Sequence, residues 1–364
     1  MSEAPVDTVV VYGNGNARAD LQYLTAWPPR WDSFLIIGGG LPASLLVQLF
    51  NHVPNAREMA VIDDVRFAGT DPAATVAAEV RRRGRVRRAG LIGAVPYQLH
   101  GRLSSGLDGV ELVDLTAAFR RHRLTKSREE IEWTRRGAAM CDAAIARLTA
   151  EARPGQSDYE LGAIVEGTYT PLGGQTGICF IATAPMSGGG RVVPAQNLSS
   201  RRLRSGDAIL IELSAGVGGY TGQVLRTIAV DGDPPPPFQR LHDVAEQAFE
   251  AILHAARPGV TAEQLLAVAG LIDEAGYTVV DDVVHGYGGG YLPPVLRSPA
   301  TQHVAPPDLV LQAGMFLVIQ PNVVSIDKTL GVQTGELVVI TEEAAESLHA
   351  TPRGLLRASG STEA

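Results

Sequence analysis

The sequence has few of the features that mark several common protein classes. Only two of its 364 residues are cysteine, Cys141 and Cys179, and neither lies in a CxxC pair. Two cysteines cannot build a disulfide framework, which fits a reducing compartment. No apolar run approaches the ~18 residues that a membrane-spanning helix needs, and no basic segment followed by an apolar stretch opens the sequence. The sequence therefore predicts a cytoplasmic protein with no membrane partner.

An excess of positive charge is also missing. The formal net charge is −8, whereas proteins that bind nucleic acids non-specifically neutralise phosphates with lysine and arginine. The one basic cluster, at positions 81–83, 85, 87 and 88, follows an alanine-rich helical pattern, and a solvated helix end explains it. We therefore expect no nucleic-acid partner. The balance of 45% hydrophobic and 19% charged residues is that of a globular protein, and the length suits two domains.

The first third of the chain has the pattern of a small α/β domain. Short apolar runs alternate with helix-compatible stretches, which is typical of a substantially parallel sheet. The runs that indicate strands are 8–12, 34–37, 60–62, 89–93 and 110–113, and the stretches that indicate helices are 42–51 and 73–84. We predict that residues 1–122 form this domain.

The pattern changes after that, and residues 123–364 are predicted to form a second, α+β domain. Ser127 and Glu130 have the spacing of a helix capping box, and Ser157 with Glu160 repeats it. The stretch 238–257 indicates a third helix. The predicted strands are 178–182, 208–215, 224–230, 316–324 and 335–341.

Four ordered segments of this second region resemble the pita-bread family, which includes methionine aminopeptidase, prolidase, aminopeptidase P and creatinase. They are Gly206 to Thr227, Val284 to Gly288, Gly314 to Pro321 and Gly331 to Glu342. The resemblance implies a pita-bread catalytic domain, and the preceding α/β region resembles the creatinase N-terminal domain. It also implies a homodimer, for which the composition provides no independent evidence.

The resemblance implies a two-metal site that this sequence does not retain. Metal-dependent members of the family hold two divalent ions with two Asp, one His and two Glu. The corresponding positions here, in chain order, are Glu212, Gln223, His285, Gln320 and Gly335, and Glu336 follows directly after the last. Neutral amides bind hard divalent ions weakly, and two ions need several carboxylates to offset their mutual repulsion. We therefore predict no metal and no cofactor.

Creatinase, which hydrolyses a C–N bond without metal, is the member that this set resembles most in character. By that resemblance His285 is the general acid/base, and Glu212 or Glu336 orients it or holds a cationic part of the substrate. Gln223 and Gln320 are expected to hydrogen-bond the substrate, and Tyr220 and Tyr287 are candidate hydroxyl donors. A carboxylate within the apolar run around Glu212 is costly to bury without a partner, which itself indicates a polar pocket.

Two further departures concern the substrate. Peptidases of the family carry a second histidine where this sequence has Leu292, and a third near Ala195 and Gln196. Their absence argues against ordinary Xaa-Pro cleavage and favours a small polar substrate, with Leu292 and Tyr291 as part of an apolar wall. Arg18 is a candidate carboxylate clamp because guanidinium binds carboxylate in a bidentate way, although a surface role fits it equally.

The leading hypothesis is thus a metal-independent hydrolase that cleaves a C–N bond in a small polar molecule, with elimination chemistry as a variant. Two alternatives stay open: a metal-dependent Xaa-Pro peptidase with altered ligands, and a catalytically silent pita-bread protein that only binds a partner.

Overall fold

The computed structural model describes residues 5–15 and 17–358. Contacts between Cα atoms divide the chain into two compact units, Met1–Arg123 and Leu124–Ala364. The predicted boundary, between residues 122 and 123, lies one residue earlier. No helix in the described ranges has the length and apolar character to cross a bilayer.

The first unit is a six-stranded mixed sheet flanked by helices. Its strand order is β4-β3-β2-β1-β5-β6, with β1 antiparallel to β2 and parallel to β5. The strands are β1 (Thr8–Gly13), β2 (Ser33–Gly38), β3 (Leu41–Val47), β4 (Asp64–Phe67), β5 (Arg88–Ile92) and β6 (Glu111–Asp114). The helices are α1 (Ala19–Thr25), α2 (Val53–Met59), α3 (Pro72–Arg82), α4 (Tyr97–Gly106) and α5 (Thr116–His122), with a short 3₁₀ turn at Phe50–His52.

Two of the predicted elements in this unit are wrong. The stretch 42–51, expected as a helix, forms β3 and pairs antiparallel with β2. Gly38, Gly39 and Gly40 all have positive φ and turn the chain back onto β2, and strand pairing then overrides helical propensity. The run 60–62 is not a strand, because the strand begins later, at Asp64. The sheet is also less parallel than expected, since both β1–β2 and β2–β3 are antiparallel.

The second unit is built on a ten-stranded sheet whose main path is β13-β12-β14-β16-β10-β8-β7. The strands of this unit are β7 (Gln175–Pro185), β8 (Asp207–Val217), β9 (Tyr220–Thr221), β10 (Val224–Ala229), β11 (Thr278–Val279), β12 (Val284–Tyr287), β13 (Tyr291–Leu296), β14 (Phe316–Ile319), β15 (Val323–Val324), β16 (Gly335–Ile340), β17 (Ala345–Ser347) and β18 (Leu356–Arg357). Of these, β11 and β15 form a separate two-stranded sheet. The helices are α6 (Arg128–Glu151), α7 (Asp158–Tyr169), α8 (Pro236–Ala255), α9 (Ala262–Ala269) and α10 (Leu271–Glu274), with a 3₁₀ turn at Thr170–Leu172.

The helix starts follow from the sequence. Ser127 begins α6 with a complete capping box, in which its hydroxyl accepts from the backbone of Glu130 and the Glu130 carboxylate accepts from the backbone of Ser127. Ser157 and Glu160 cap α7 in the same way. The predicted strand 316–324 is found as two strands, β14 and β15, separated by residues 320–322.

The helices cover one face of the large sheet. Val338 and Ile319 pack into the cluster formed with α8 and α9, and Val224 and Ile211 pack into the cluster formed with α6 and α7. We call this side the helix-covered face. Because side chains alternate along a strand, the neighbours of these residues in sequence point to the opposite side, which we call the inner face.

Candidate active site

A chain of hydrogen bonds joins five residues that lie in or next to strands of the large sheet. Gln223 donates through Nε2 to Oε1 of Glu212 at 2.9 Å and to Oε1 of Gln320 at 3.4 Å. Gln320 in turn donates through Nε2 to Oδ2 of Asp282 at 3.2 Å, and Asp282 accepts at Oδ1 from the hydroxyl of Tyr291 at 3.0 Å. The two glutamines therefore link acidic groups that lie far apart in sequence.

Strand register brings these residues together. Glu212 in β8 pairs with Leu225 in β10, so Gln223, two residues before Leu225, shares its face. Leu225 pairs with Gly335 in β16. On the neighbouring strands Val318 pairs with His285, which places the imidazole on that same face. The positions that the sequence analysis grouped by resemblance thus converge here through sheet geometry.

His285 is the buried base of this arrangement. Its side chain is completely shielded from solvent, and Nδ1 lies 3.0 Å from the carbonyl oxygen of Gly286. Since a carbonyl only accepts, Nδ1 carries the proton of the neutral ring and Nε2 holds the lone pair. Nε2 has no hydrogen-bond partner among the described residues. The ring of Tyr291 stacks on the imidazole with centroids 4.0 Å apart and 18° between planes.

Burial separates the protonation states of the site's groups. Desolvation raises the pKa of Glu212 to about 8, assisted by the charges of Asp281 and Asp282. Burial also raises the pKa of Asp281 to about 6. For His285 burial has the opposite effect and lowers the pKa to about 4. Near neutral pH, therefore, Glu212 is a proton donor and His285 is an uncharged proton acceptor.

Sequence reasoning missed Asp281 and Asp282. Both precede the strand that carries His285, and burial raises the pKa of Asp282 as well. Two consecutive aspartates before an apolar run resemble a solvated turn, so the only signal in the sequence was their position just before Val283 and Val284. Tyr291 was expected only as apolar wall, whereas its hydroxyl binds Asp282 and its ring covers His285.

Glu336 is not brought to the site. It alternates with Gly335, and its partner in the sheet, Val224, packs on the helix-covered face. There its carboxylate accepts from Nη2 of Arg226, a guanidinium that is itself 1% exposed and also bonds the backbone oxygen of Gly335. The inner-face position is therefore Gly335, which has no side chain to contribute. Glu336 is fully engaged with Arg226, and its predicted catalytic role receives no geometric support.

The other predicted contacts are distributed differently. Tyr287 bonds Ser214 at 2.6 Å and also Thr221, and burial raises its pKa to about 12. Leu292 packs into the core cluster formed with α8 and α9. Tyr220 lies in the short strand β9, half-buried. Arg18 belongs to the first unit, where it precedes α1 and burial lowers its pKa. Substrate contacts by these residues remain predictions.

The chain is similar to known peptidases over nearly its whole length. The profile of "Metallopeptidase family M24" matches residues 132–342. The Xaa-Pro dipeptidase of Pyrococcus furiosus is 26% identical over 357 residues, covering 98% of this chain and 97% of that protein. The probable dipeptidase PepE of Mycobacterium tuberculosis is 31% identical over 250 residues, covering 68% of this chain and 64% of that protein.

Solved structures confirm the predicted fold. The prolidase from Pyrococcus horikoshii OT3 superposes with a TM-score of 0.81 at 23% identity, and 96% of each chain is covered. The X-Pro aminopeptidase from Thermotoga maritima MSB8 gives a TM-score of 0.83 at 20% identity, covering 97% of this chain and 96% of that one. An α/β N-terminal domain followed by a pita-bread catalytic domain is therefore the architecture of this protein.

A metallopeptidase family implies a bound metal, but the residues present here do not fit one. Across residues 5–15 and 17–358 no group of three or more His, Cys, Asp or Glu side chains is placed to hold an ion. Between Glu212 and Gln320 the amide of Gln223 presents N–H donors, whereas a divalent cation requires inward-facing lone pairs. Gly335 leaves a further ligand position without any donor atom.

Proposed function

The chain belongs to metallopeptidase family M24, and from this premise we propose that it is a metal-independent hydrolase that cleaves a C–N bond in a small polar substrate, with His285 as general base and Glu212 as general acid. The observation that carries the proposal is a buried imidazole, whose Nε2 has no hydrogen-bond partner among the described residues, on the same sheet face as a buried carboxyl that Gln223 holds in place. No step of this chemistry runs through a metal.

The proposed reaction is amide-type hydrolysis by water. His285 accepts a proton at Nε2 as the water oxygen forms a bond to the substrate's carbonyl or amidine carbon. The C–N bond then breaks, and Glu212 gives its proton to the departing nitrogen. The proton on the imidazole finally returns to the Glu212 carboxylate or to solvent. Water is consumed, one acid and one amine are formed, and no oxidant or reductant is required.

The backbone fixes the roles of the two groups. The carbonyl oxygen of Gly286 accepts from Nδ1 and so keeps the basic lone pair of His285 on Nε2. The amide of Gln223 donates to one oxygen of Glu212, which leaves the other oxygen as the site of the proton. The ring of Tyr291 stacks on one face of the imidazole and helps to fix its orientation.

The test is a turnover screen of chelator-treated protein against small amides, ureas, guanidino acids and dipeptides, with and without added Mn²⁺. We expect at least one small substrate to be cleaved equally in both conditions. In the variant His285→Asn, kcat/KM for that substrate should fall at least ~10²-fold, because general-base catalysis supplies about 10²–10⁴-fold. The exposed histidine variant His303→Asn is the matched control and should retain activity.

Two results would overturn the proposal. One is tight retention of two ions per chain after purification without chelator. The other is a panel of substrates of which none is cleaved, or of which the cleaved one is cleaved equally well by His285→Asn.

A second candidate function has support from the relatives. The Pyrococcus furiosus protein, similar over 98% of this chain, is named Xaa-Pro dipeptidase, so dipeptides with a C-terminal proline belong in the panel. Under that alternative, the dipeptides would be cleaved only with added Mn²⁺, and the small amides would not be cleaved. We further propose that the protein is a cytoplasmic homodimer. Size-exclusion chromatography coupled to light scattering tests whether it is a dimer.

A further inference from the structure

Two buried amide side chains outside the hydrogen-bond chain, Asn322 and Gln333, carry unpaired polar atoms. Asn322 is 1% exposed and Gln333 is 0% exposed. Oδ1 of Asn322 and both amide atoms of Gln333 make no hydrogen bond to any described residue. Folded proteins rarely leave buried donors and acceptors unpaired, because each one forfeits its hydrogen bonds with water. We therefore expect these two amides to bind a ligand group.

Strand register places these two amides opposite each other. In β14 and β16 Ile319 pairs with Glu336, and further along the same two segments Val324 pairs with Gly331. Between these points the backbone N–H of Val332 donates to the oxygen of Val323. The register is the same on both sides of residues 320–322, which form no strand themselves, and it sets Gln320 opposite Gly335 and Asn322 opposite Gln333. Directly opposed residues have Cβ atoms about 5 Å apart.

Both amides point to the inner face. Their neighbours Val323 and Val332 pack into the core cluster formed with α8 and α9, and the hydroxyl of Thr334 bonds Glu246 in α8. Since side chains alternate along extended segments, Asn322 and Gln333 face the other way. Gln320, two residues before Asn322, lies on this same face and connects it to the site around His285.

We infer that Asn322 and Gln333 form a subsite next to His285 that binds a neutral amide- or urea-type group of the substrate. The inference rests on the proposed function, because it names the group that the same sheet face recognises. Unlike the catalytic pair, the two amides touch no reacting atoms. They select the substrate and position it.

The chemistry of the unpaired atoms decides the ligand class. The subsite presents N–H donors and carbonyl acceptors from both amides, of which Oδ1 of Asn322 and both amide atoms of Gln333 have no partner among the described residues. A carboxamide or urea offers matching donors and acceptors together. A carboxylate would lack a counter-charge from Arg226, because that guanidinium lies on the helix-covered face and is paired with Glu336. An ammonium group would leave the Gln333 donor unpaired.

A connecting segment closes over this part of the sheet. Residues 186–206, between β7 and β8, form no helix or strand. Val192 lies so close to Gly331 that a Cβ on that glycine would be 2.0 Å from the Val192 oxygen. Gly188 and Gly189 in this segment have φ values of 101° and 81°. Occupation of the subsite therefore requires the segment to yield, as loops over binding sites commonly do.

The test compares three probes that share an acetamide and differ in one terminal group: N-acetylglycinamide, N-acetylglycine and N-acetylethylenediamine. Their dissociation constants are measured by ligand-detected NMR on the full chain carrying His285→Asn, which removes turnover. We expect the neutral carboxamide to bind at least about tenfold tighter than the anion or the cation, since a mismatched terminus leaves a buried polar group unpaired. Gln333→Leu should reduce that advantage to within about twofold.

The exposed glutamine variant Gln312→Leu is the matched control and should keep the full preference. Melting temperatures establish that each variant folds, and Asn322→Ser replaces Gln333→Leu if the latter does not. Equal binding of the three probes, binding of none, or an unchanged preference in the folded subsite variant would overturn the inference. Because the readout is binding, a selective subsite in a protein that cleaves nothing would refute only the proposed function.

Discussion

Nε2 of Gln223 lies 2.9 Å from Oε1 of Glu212, so a neutral amide rather than a cation stabilises the buried carboxyl. A single N–H donor lowers the pKa of a carboxyl much less than burial at this position raises it, and the net result is a pKa of about 8. Because burial disfavours its ionised form, the carboxyl of Glu212 stays protonated and can donate a proton near neutral pH. The neutral glutamine leaves this pKa raised, whereas a cation bound at the same place would lower it and hold Glu212 ionised.

Replacing Glu212 by glutamine should stabilise the protein while lowering its activity. The folded pKa of about 8 exceeds the unfolded value of about 4.5, so the unfolded state ionises first as the pH rises. The carboxyl therefore costs stability progressively from about pH 4.5 to about pH 8, by an amount on the order of a few kcal/mol. Urea unfolding at pH 8 and at pH 4 should show a gain for Glu212→Gln only at the higher pH. An equal change at both values would contradict this account.

The rate of the proposed reaction should depend on pH with two limbs. His285 accepts a proton only when neutral, and burial lowers its pKa to about 4, so kcat/KM should rise with pH through that region. Glu212 donates only when protonated, so kcat/KM should fall above about pH 8. In Glu212→Gln the residual activity should lose the alkaline limb. A profile that instead rises through pH 6.5 would mean that an ordinary solvated histidine controls the rate.

The sequence predicts some elements here well because their determinants are local. The capping boxes at Ser127 and Ser157 need only residues within one helical turn, and both helices begin where that spacing indicates. The stretch 42–51 was misassigned because its strand depends on pairing with β2, a non-local contact.

The candidate site divides in the same way. The positions of Glu212, Gln223, His285 and Gln320 could be found by resemblance because each lies in a recognisable segment. The contribution of Asp282 could not, since it follows from the packing that brings its carboxylate within 3.2 Å of Gln320. The protonation roles could not be predicted either, because the sequence does not show that the ring of His285 is completely buried.

Removing the aromatic ring of Tyr291 should make His285 chemically reactive. The imidazole is 0% exposed although Tyr291, which stacks on it, is 52% exposed. Tyr291→Ala should therefore increase the rate of modification of His285 by diethyl pyrocarbonate, measured residue by residue by mass spectrometry, by about tenfold or more. Tyr291→Phe keeps the stack but loses the bond to Asp282 and should show a smaller increase. Equal reactivity in the wild type and in Tyr291→Ala would mean that other groups shield the ring.

Gly335 should not accept a side chain. Its φ of 150° lies in the region that favours glycine, and an added Cβ would lie 2.3 Å from the oxygen of Ile319. Gly335→Ala should therefore lower the free energy of unfolding by more than about 2 kcal/mol. The control is Gly167→Ala within α7, where no atom lies closer than 3.8 Å to the new Cβ. There the free energy of unfolding is expected to rise by up to about 1 kcal/mol. Denaturant titration of both variants measures these changes in the free energy of unfolding. A Gly335→Ala protein as stable as the wild type would show that β16 can shift to make room for a side chain.

Glu79 in α3 should contribute strongly to the stability of the first unit. Its side chain is 3% exposed and bonds Arg83, which is completely buried, and the more exposed Arg66 and Arg82. Burial alone would raise its pKa, but the hydrogen bonds from Arg82 and Arg66 outweigh it and lower the pKa to about 2. Because the folded value is below the unfolded one, this stabilisation is complete above about pH 4.5 and is lost as the pH falls toward 2.

Glu79→Gln should consequently cost about 3–5 kcal/mol at pH 7, chiefly because it leaves the guanidinium of Arg83 buried without a counter-charge. Trp27 and Trp31 both lie in the first unit, so tryptophan fluorescence during urea unfolding reports largely on it. Between pH 4.5 and pH 2 the difference from the wild type should shrink, since protonation removes the same charge from Glu79. The exposed variant Glu58→Gln in α2 should change stability by less than about 0.5 kcal/mol. A loss for Glu79→Gln that does not diminish on acidification would mean that shape, and not the charge network, fixes α3 on its sheet.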